Sequence, residues 1–277
     1  MIEIPESLIL AKQLNQALKG RTVTGVFPWQ SPHKLAFING DPATYDSLFN
    51  GKTFEQAYGF GSWVEMKFGD SILAVSEGTG LFYTNDEIKL PKKHQMLLKF
   101  DDGSFLCAYV KMYGAVVGAK IGEYDNKYYL VARDKPSVFS EDFSPEYFNT
   151  MLKDEGVQKL SIKAFLATGQ RIPGIGNGVL QDILFNSKIH PREKVKNISK
   201  ARRENLFKSM LSTLREMTES GGRDTDKDLF GNNGGYITKM SKNTVNKPCP
   251  VCNTGIVKAS YMGGSIYFCS TCQPLSQ

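Results

Sequence analysis

The feature that most restricts this chain lies in its last 29 residues, CPVCNTGIVKASYMGGSIYFCSTCQPLSQ. Cys249 and Cys252 are separated by two residues, sixteen residues follow, and Cys269 and Cys272 repeat the pair. A C-x2-C pair on a tight turn aims two thiolates at one point, and two such turns close a tetrahedral shell suited to zinc. Four protein ligands leave no open coordination position, so the expected ion is structural and stabilises a tail too short for its own core. IVKASY and SIYF flank Gly263 and Gly264 as the two arms of a hairpin. The same thiols paired as two disulfides would need an oxidising compartment, which nothing else in the chain signals. Cys107, alone in SFLCAYV, reads as a buried small hydrophobe.

The remaining residues divide by periodicity. Residues 3–19 read as a helix that starts near Glu3 or Ile4 with Pro5 in its first turn. From about 20 to 135, short apolar runs (RTVTGVFPW, KLAFI, SWVEMKF, SILAVS, QMLLKF, SFLCAYV, KYYLVA) alternate with Gly, Asp and Asn, which predicts a β-sandwich or barrel. DKPSVFSEDFSP has two prolines and no periodicity and reads as a linker. Helical spacing then governs EYFNTMLK, SIKAFLATG, GNGVLQDILFNSK and SKARRENLFKSMLSTLREM, with Ser144 and Ser199 as N-caps. The expected fold is α+β: an N-terminal helix and β-sandwich over 1–135, a linker over 136–145, a helical domain over 146–237, and the cysteine hairpin over 238–277.

Charge narrows the partners. Residues 151–215 hold 13 Lys and Arg against 5 Asp and Glu, while the net charge of the whole chain is +6. A solvated helical face explains such an excess, and so does a polyanion, because each phosphate neutralised releases counterions. No run approaches the roughly 18 apolar residues of a membrane span. The start has no basic-then-apolar leader, so a cytoplasmic protein is expected, nucleoid-associated if bacterial.

The second motif is RIPGIGNGVLQDILFNSKIHP. Gly174 and Gly176 permit a tight turn, and Asn177 stands at a helix entry, where unpaired N–H groups and the helix dipole form a phosphate site. PGIGN, a helix and IHP resemble the helix-two-turns-helix element of the formamidopyrimidine-DNA glycosylase/endonuclease VIII family. The cysteine hairpin ending FCSTCQ is similar to that family's zinc finger, and GGRDTDKDLFG resembles a segment of its endonuclease VIII side.

The resemblance implies a DNA glycosylase/AP lyase of base-excision repair, acting as a monomer on damaged or abasic double-stranded DNA. In the family an N-terminal proline amine, exposed by removal of the initiator Met, attacks C1′. A Schiff base forms, the base leaves and β-elimination, often followed by δ-elimination, cuts the strand. The catalytic positions correspond to Met1, Ile2, Glu3 and Glu6 here. The two acids are also what a helix dipole favours in a first turn. Ile2 replaces the proline and keeps Met1 in place, which displaces the amine by one residue, roughly 3.5 Å. Ser62 stands where the family has a hairpin lysine, and Gly264 where it has the zinc-finger arginine. For DNA contact the resemblance implies Asn177, Lys159, Lys163, His94 and Lys111, with Tyr113 as the wedge entering the base stack. An aromatic between strands is also an ordinary core residue. His190 reads as a structural loop residue. A non-catalytic lesion- or structure-binding protein on the same scaffold is the alternative, and a zinc-stabilised protein-interaction module a third reading.

Overall fold

The computed structural model describes residues 1–276. Helix α1 (Ile4–Ala17) begins behind Glu3, whose extended backbone (φ −123°, ψ −174°) is that of an N-cap residue, with Pro5 in the first turn. Strands β1 (Val23–Pro28) and β2 (Ala36–Ile38) precede a short helix α2 (Tyr45–Phe49). Seven more strands follow: β3 (Phe54–Phe60), β4 (Trp63–Phe68), β5 (Ser71–Ser76), β6 (Thr79–Thr84), β7 (Met96–Phe100), β8 (Phe105–Val110) and β9 (Gly114–Lys120). They form two sheets, one ordered β1-β7-β8-β6 and the other β2-β9-β5-β4-β3. All pairings are antiparallel except β2 with β9. Leu10, Leu14 and Leu18 repeat along the buried side of α1 and the residue after it, and they share one core with Phe54, Phe68, Leu98 and Phe100.

KYYLVA is not a strand. Lys127–Asp134 is helix α3, because Asn126 accepts hydrogen bonds from the amides of Tyr128 (2.9 Å) and Tyr129 (3.3 Å) and so caps a helical turn. The segment read as a polar linker is irregular, yet Val138 and Phe143 within it are buried in the helical core. Helices α4 (Pro145–Lys153), α5 (Ile162–Ala167), α6 (Val179–Asn186) and α7 (Lys200–Glu219) follow. Ser144, Ser161 and Ser199 accept the capping bonds of α4, α5 and α7. The cysteine segment forms the hairpin β10 (Val257–Tyr261) and β11 (Gly264–Phe268). Its buried cluster is small: Phe185, Met240, Cys249, Ile256 and Cys269. Cys107 is fully buried, and burial pushes its thiol up to about 12. Among the described residues no helix is long and apolar enough to cross a membrane.

The β-rich and helical cores meet at the chain's first residues. Ile2 packs into the β-sandwich core and Ile4 into the helical core, so the extended backbone between them turns Glu3 toward the junction. The β3–β4 hairpin tip seals the other side. A Cβ on Gly174 would lie 2.3 Å from the Gly61 carbonyl carbon, so only glycine lets the PGIG turn approach this tip.

Candidate active site

Glu3 is 2% exposed and bound from three directions. Its Oε1 accepts from the Gly178 amide (2.9 Å) and its Oε2 from the Val179 amide (2.6 Å), which places the carboxylate on the N-terminus of α6. Arg223 Nη1 lies 3.3 Å from Oε2. The glycines of GIGNG serve this arrangement: a Cβ on Gly176 would come within 2.5 Å of Glu3 Oε1, and one on Gly178 within 1.6 Å of Arg223 Nη1. This corrects the phosphate reading of the helix entry. Two of the amides at that entry are already taken by Glu3.

Arg223 organises the centre. Its Nε donates to Glu6 Oε1 (2.9 Å) and its Nη2 to Glu6 Oε2 (2.8 Å), a bidentate pair. Nη2 also donates to the Met1 carbonyl (3.2 Å) and lies 3.3 Å from Asp226 Oδ2. The Met1 ammonium forms an ion pair with the other oxygen of Asp226. Three carboxylates therefore meet two cations, with one negative charge in excess.

The acids respond differently. Burial pushes the Glu3 carboxyl up, Arg223 and the two amides pull it down, Glu6 pushes it up again, and the balance is raised. Burial would raise Asp226 as well, but Arg223 and the Met1 ammonium outweigh it and hold that carboxyl below its ordinary value. Burial also raises Glu77, opposed by the Tyr113 hydroxyl that donates to it and by the nearby terminus. The centre thus holds a nitrogen beside an ionised acceptor, Asp226, and an acid, Glu3, that keeps its proton to higher pH than usual. A nucleophile, a proton acceptor and a proton donor are the parts that amine catalysis requires.

Glu3, Ser62, Glu77 and Gln170 line a cavity of about 80 Å³ floored by Pro173 and Gly174. Met1 lines a separate, smaller recess with Thr79, Lys111, Asp226 and Lys227. The structure thus brings together Met1, Glu3 and Glu6, with Lys111 beside Met1, whereas Ile2 is 3% exposed and anchors the terminus through its side chain. Arg223, Asp226, Glu77 and Gln170 were not singled out from the sequence. The Arg-Asp-x-Asp spacing inside GGRDTDKD was the one available signal for the first two.

A second constellation surrounds the hairpin. Asn177 Nδ2 donates to the Ser265 carbonyl (3.0 Å) and Lys163 Nζ to the Tyr261 carbonyl (2.9 Å). Lys163 Nζ lies 3.6 Å from where a Gly264 Cβ would stand, so its charge lies beside the position where the resemblance expects an arginine. Lys159 is exposed on the same helical half, and Lys194 Nζ donates to its carbonyl (3.1 Å). His94 is distant in sequence, partly buried, with Nδ1 2.8 Å from the Pro91 carbonyl. Tyr113 is not a core residue; it is 38% exposed at the edge of a cavity. His190 is buried edge-on to Phe268 (4.4 Å between ring centres), with Nδ1 accepting from the Arg192 amide (3.0 Å).

The four cysteine sulfurs lie within 4.8 Å of one another. Sulfurs about 2.3 Å from a tetrahedral ion would be some 3.8 Å apart, and the 3.9 Å between Cys249 and Cys272 and 3.4 Å between Cys252 and Cys269 fit such a shell. Gln273 locks it to the helical half, donating to the Ile189 carbonyl (2.8 Å) and accepting from the Cys269 amide (3.1 Å). The four thiols form a candidate metal centre.

Residues 135–228 match the formamidopyrimidine-DNA glycosylase H2TH domain. The formamidopyrimidine-DNA glycosylase of Shouchella clausii is 28% identical over 286 residues, covering 99% of each chain. That of Bacillus licheniformis is 27% identical over 282 residues with the same coverage. Among solved structures, the MutM (Fpg) protein of Thermus thermophilus superposes with a TM-score of 0.81 at 18% identity, over 99% of this chain and 100% of that one. The Lactococcus lactis Fpg in complex with abasic-site DNA gives 0.84 at 19% identity, over 98% and 99%.

Proposed function

The chain belongs to the formamidopyrimidine-DNA glycosylase/endonuclease VIII family, and from that membership we propose that it is a DNA glycosylase/AP lyase of base-excision repair. The curated relatives carry the glycosylase name along their whole length, and several solved neighbours hold damaged or abasic DNA. The observation that carries the reading is the seating of Met1: its α-nitrogen lies against Asp226, within a cluster that also holds Glu3.

On this reading Asp226 takes a proton from the α-ammonium, and the freed lone pair bonds to C1′ of the damaged nucleotide. Glu3 donates its proton to the sugar ring oxygen as the ring opens, and the departing base takes its own electron pair. Loss of the second amine proton leaves the Schiff base, from which elimination cuts the 3′ side. Lys163 and Asn177 grip the phosphate backbone, assisted by Lys159, His94 and Lys111. Cys249, Cys252, Cys269 and Cys272 would hold a zinc ion, which would brace the hairpin that carries the Lys163 and Asn177 contacts without taking part in the chemistry. The protein works as a cytoplasmic monomer.

Ser62 and Gly264, in place of basic residues, favour a second reading: a lesion-binding protein with little or no lyase activity. Incision assays separate the two. The protein should nick a duplex with one abasic site, with affinity falling steeply between low and moderate salt. Ile2→Ala permits removal of Met1 and withdraws the amine by one residue. Intact mass should show the shorter chain, and incision should fall about a hundredfold while thermal denaturation shows a folded protein. Tight binding without incision by the parent protein would establish the second reading.

A further inference from the structure

Met1 and Asp226 stand 225 positions apart in the chain, and Asp226 lies on a loop. A loop carboxylate keeps its place only if the residues around it are themselves held. One end of this loop is tied to the helical half. The Asp224 amide donates to the Tyr236 carbonyl (2.8 Å), the Tyr236 amide to the Gly222 carbonyl (2.9 Å), and the Tyr236 ring is buried in the helical core. From Asp226 the chain makes a tight reversal. The Asp228 amide donates to the Asn232 carbonyl (2.8 Å) and the Gly234 amide to the Asp226 carbonyl (3.2 Å), with Leu229, Phe230 and Gly231 at the tip.

That tip crosses to the β-rich half. Leu229 is fully buried in the β-sandwich core, the same core that takes Ile2. The Tyr83 amide on β6 donates to the Leu229 carbonyl (2.9 Å), and Phe230 meets Tyr83 edge to face at 6.2 Å. Gln13 on α1 closes the contact. Its Oε1 accepts from the Leu229 amide (3.0 Å) and its Nε2 donates to Asp228 Oδ2 (3.0 Å). Ile2, next to Met1, and Leu229, at the tip of the reversal that Asp226 begins, thus insert into one packed core.

We propose that Gln13 and Leu229 are positioning residues: by pinning the loop tip to the β-rich half, they hold the Asp226 carboxylate against the Met1 amine. The assignment rests on the reading in which that amine is the nucleophile. The length of the terminus supplies the physical reason. An amine on residue 1, one position further out than an amine on residue 2, needs its acceptor brought to it, and a misplacement of about 1 Å can cost a hundredfold in rate. Ile2 and Leu229 meet that need together. Because both side chains are set in the same core, amine and acceptor keep their register with each other even if the helical half shifts.

Gln13 is only half-buried, so its variants leave the core intact. Gln13→Glu sets two carboxylates against each other and should detach the loop tip. Gln13→Glu combined with Asp228→Asn exchanges donor and acceptor and restores the pair. Single-turnover adduct formation on an abasic-site duplex, with borohydride in excess, reads the effect. The single variant should react at least about tenfold more slowly than the parent. Its affinity for a duplex carrying the unreactive tetrahydrofuran analogue should change less than about threefold, and the double variant should recover to within about threefold of the parental rate. Leu229→Ala, shown to be folded by thermal denaturation, should repeat the rate loss of the single variant. A single variant that reacts at the parental rate, a double variant as slow as the single one, or a rate loss matched by an equal loss of affinity each overturns the assignment. A parent protein that binds the abasic duplex and forms no adduct would instead remove the amine reading, and the assignment with it.

Discussion

Replacing Arg223 by leucine should destabilise the protein by about 3–5 kcal/mol at neutral pH, the cost typical of removing one partner from a buried ion network. Arg223 is 2% exposed and is the cation shared by Glu3, Glu6 and Asp226, which are buried or nearly so. Without it three carboxylates face the Met1 ammonium alone. The loss should shrink in acid. Asp226 is held below its ordinary value, so its stabilisation is complete above the usual aspartate range near 4 and is lost as pH falls through the depressed value. In the variant Glu3 and Asp226 lose the cation that pulls their carboxyls down, so its stability rises as they take up protons. The two denaturation curves should therefore converge between pH 7 and pH 4. A constant gap would mean that Arg223 acts through packing rather than charge.

Removing the metal should have the second large effect. Structural zinc shells of this type contribute on the order of 10 kcal/mol to the segment that holds them, and the hairpin's buried cluster is too small to replace that. β10 and β11 also supply the carbonyls that fix Lys163 and Asn177. Stripping with a chelator should release about one zinc per chain, lower affinity for abasic duplex at least tenfold, and leave most of the helical signal, since α4 to α7 have their own core. Cys272→Ser should behave alike. Unchanged affinity after complete metal loss would show that the hairpin does not shape the DNA interface.

What the residues disclosed follows from the range of the interactions. The cysteine pairs, the Ser-capped helices and the hairpin about Gly263 depend on neighbours a few positions apart and could be read directly. KYYLVA was misread because two tyrosines and a valine suggest a strand, whereas the deciding contact is the Asn126 cap. β9, GAVVGAK, carries only a weak strand signal because of its glycines; Gly118 is there because Tyr45 crosses its backbone, and a Cβ would lie 2.7 Å from that ring.

The site shows the same division. Glu3, Glu6 and PGIGN were visible by resemblance, but that Glu3 itself occupies the amides after PGIGN depends on residues some 175 positions apart. Arg223 and Asp226 reach Met1 across 222 and 225 positions, so no local pattern joins them. Tyr113 stands between strands, where a core role is the ordinary expectation, and only the fold shows the cavity beside it.

On the proposed mechanism the Met1 amine, seated on Asp226, forms the covalent intermediate. Borohydride reduction of the protein with an abasic-site duplex tests it most directly, with the adduct located by peptide mass. One covalent complex is expected, with the DNA remnant on the α-nitrogen of an intact Met1, and at least about tenfold less of it in Asp226→Asn. An adduct on a lysine, an adduct on Ile2 after loss of Met1, or a tightly bound duplex that yields no adduct would contradict it.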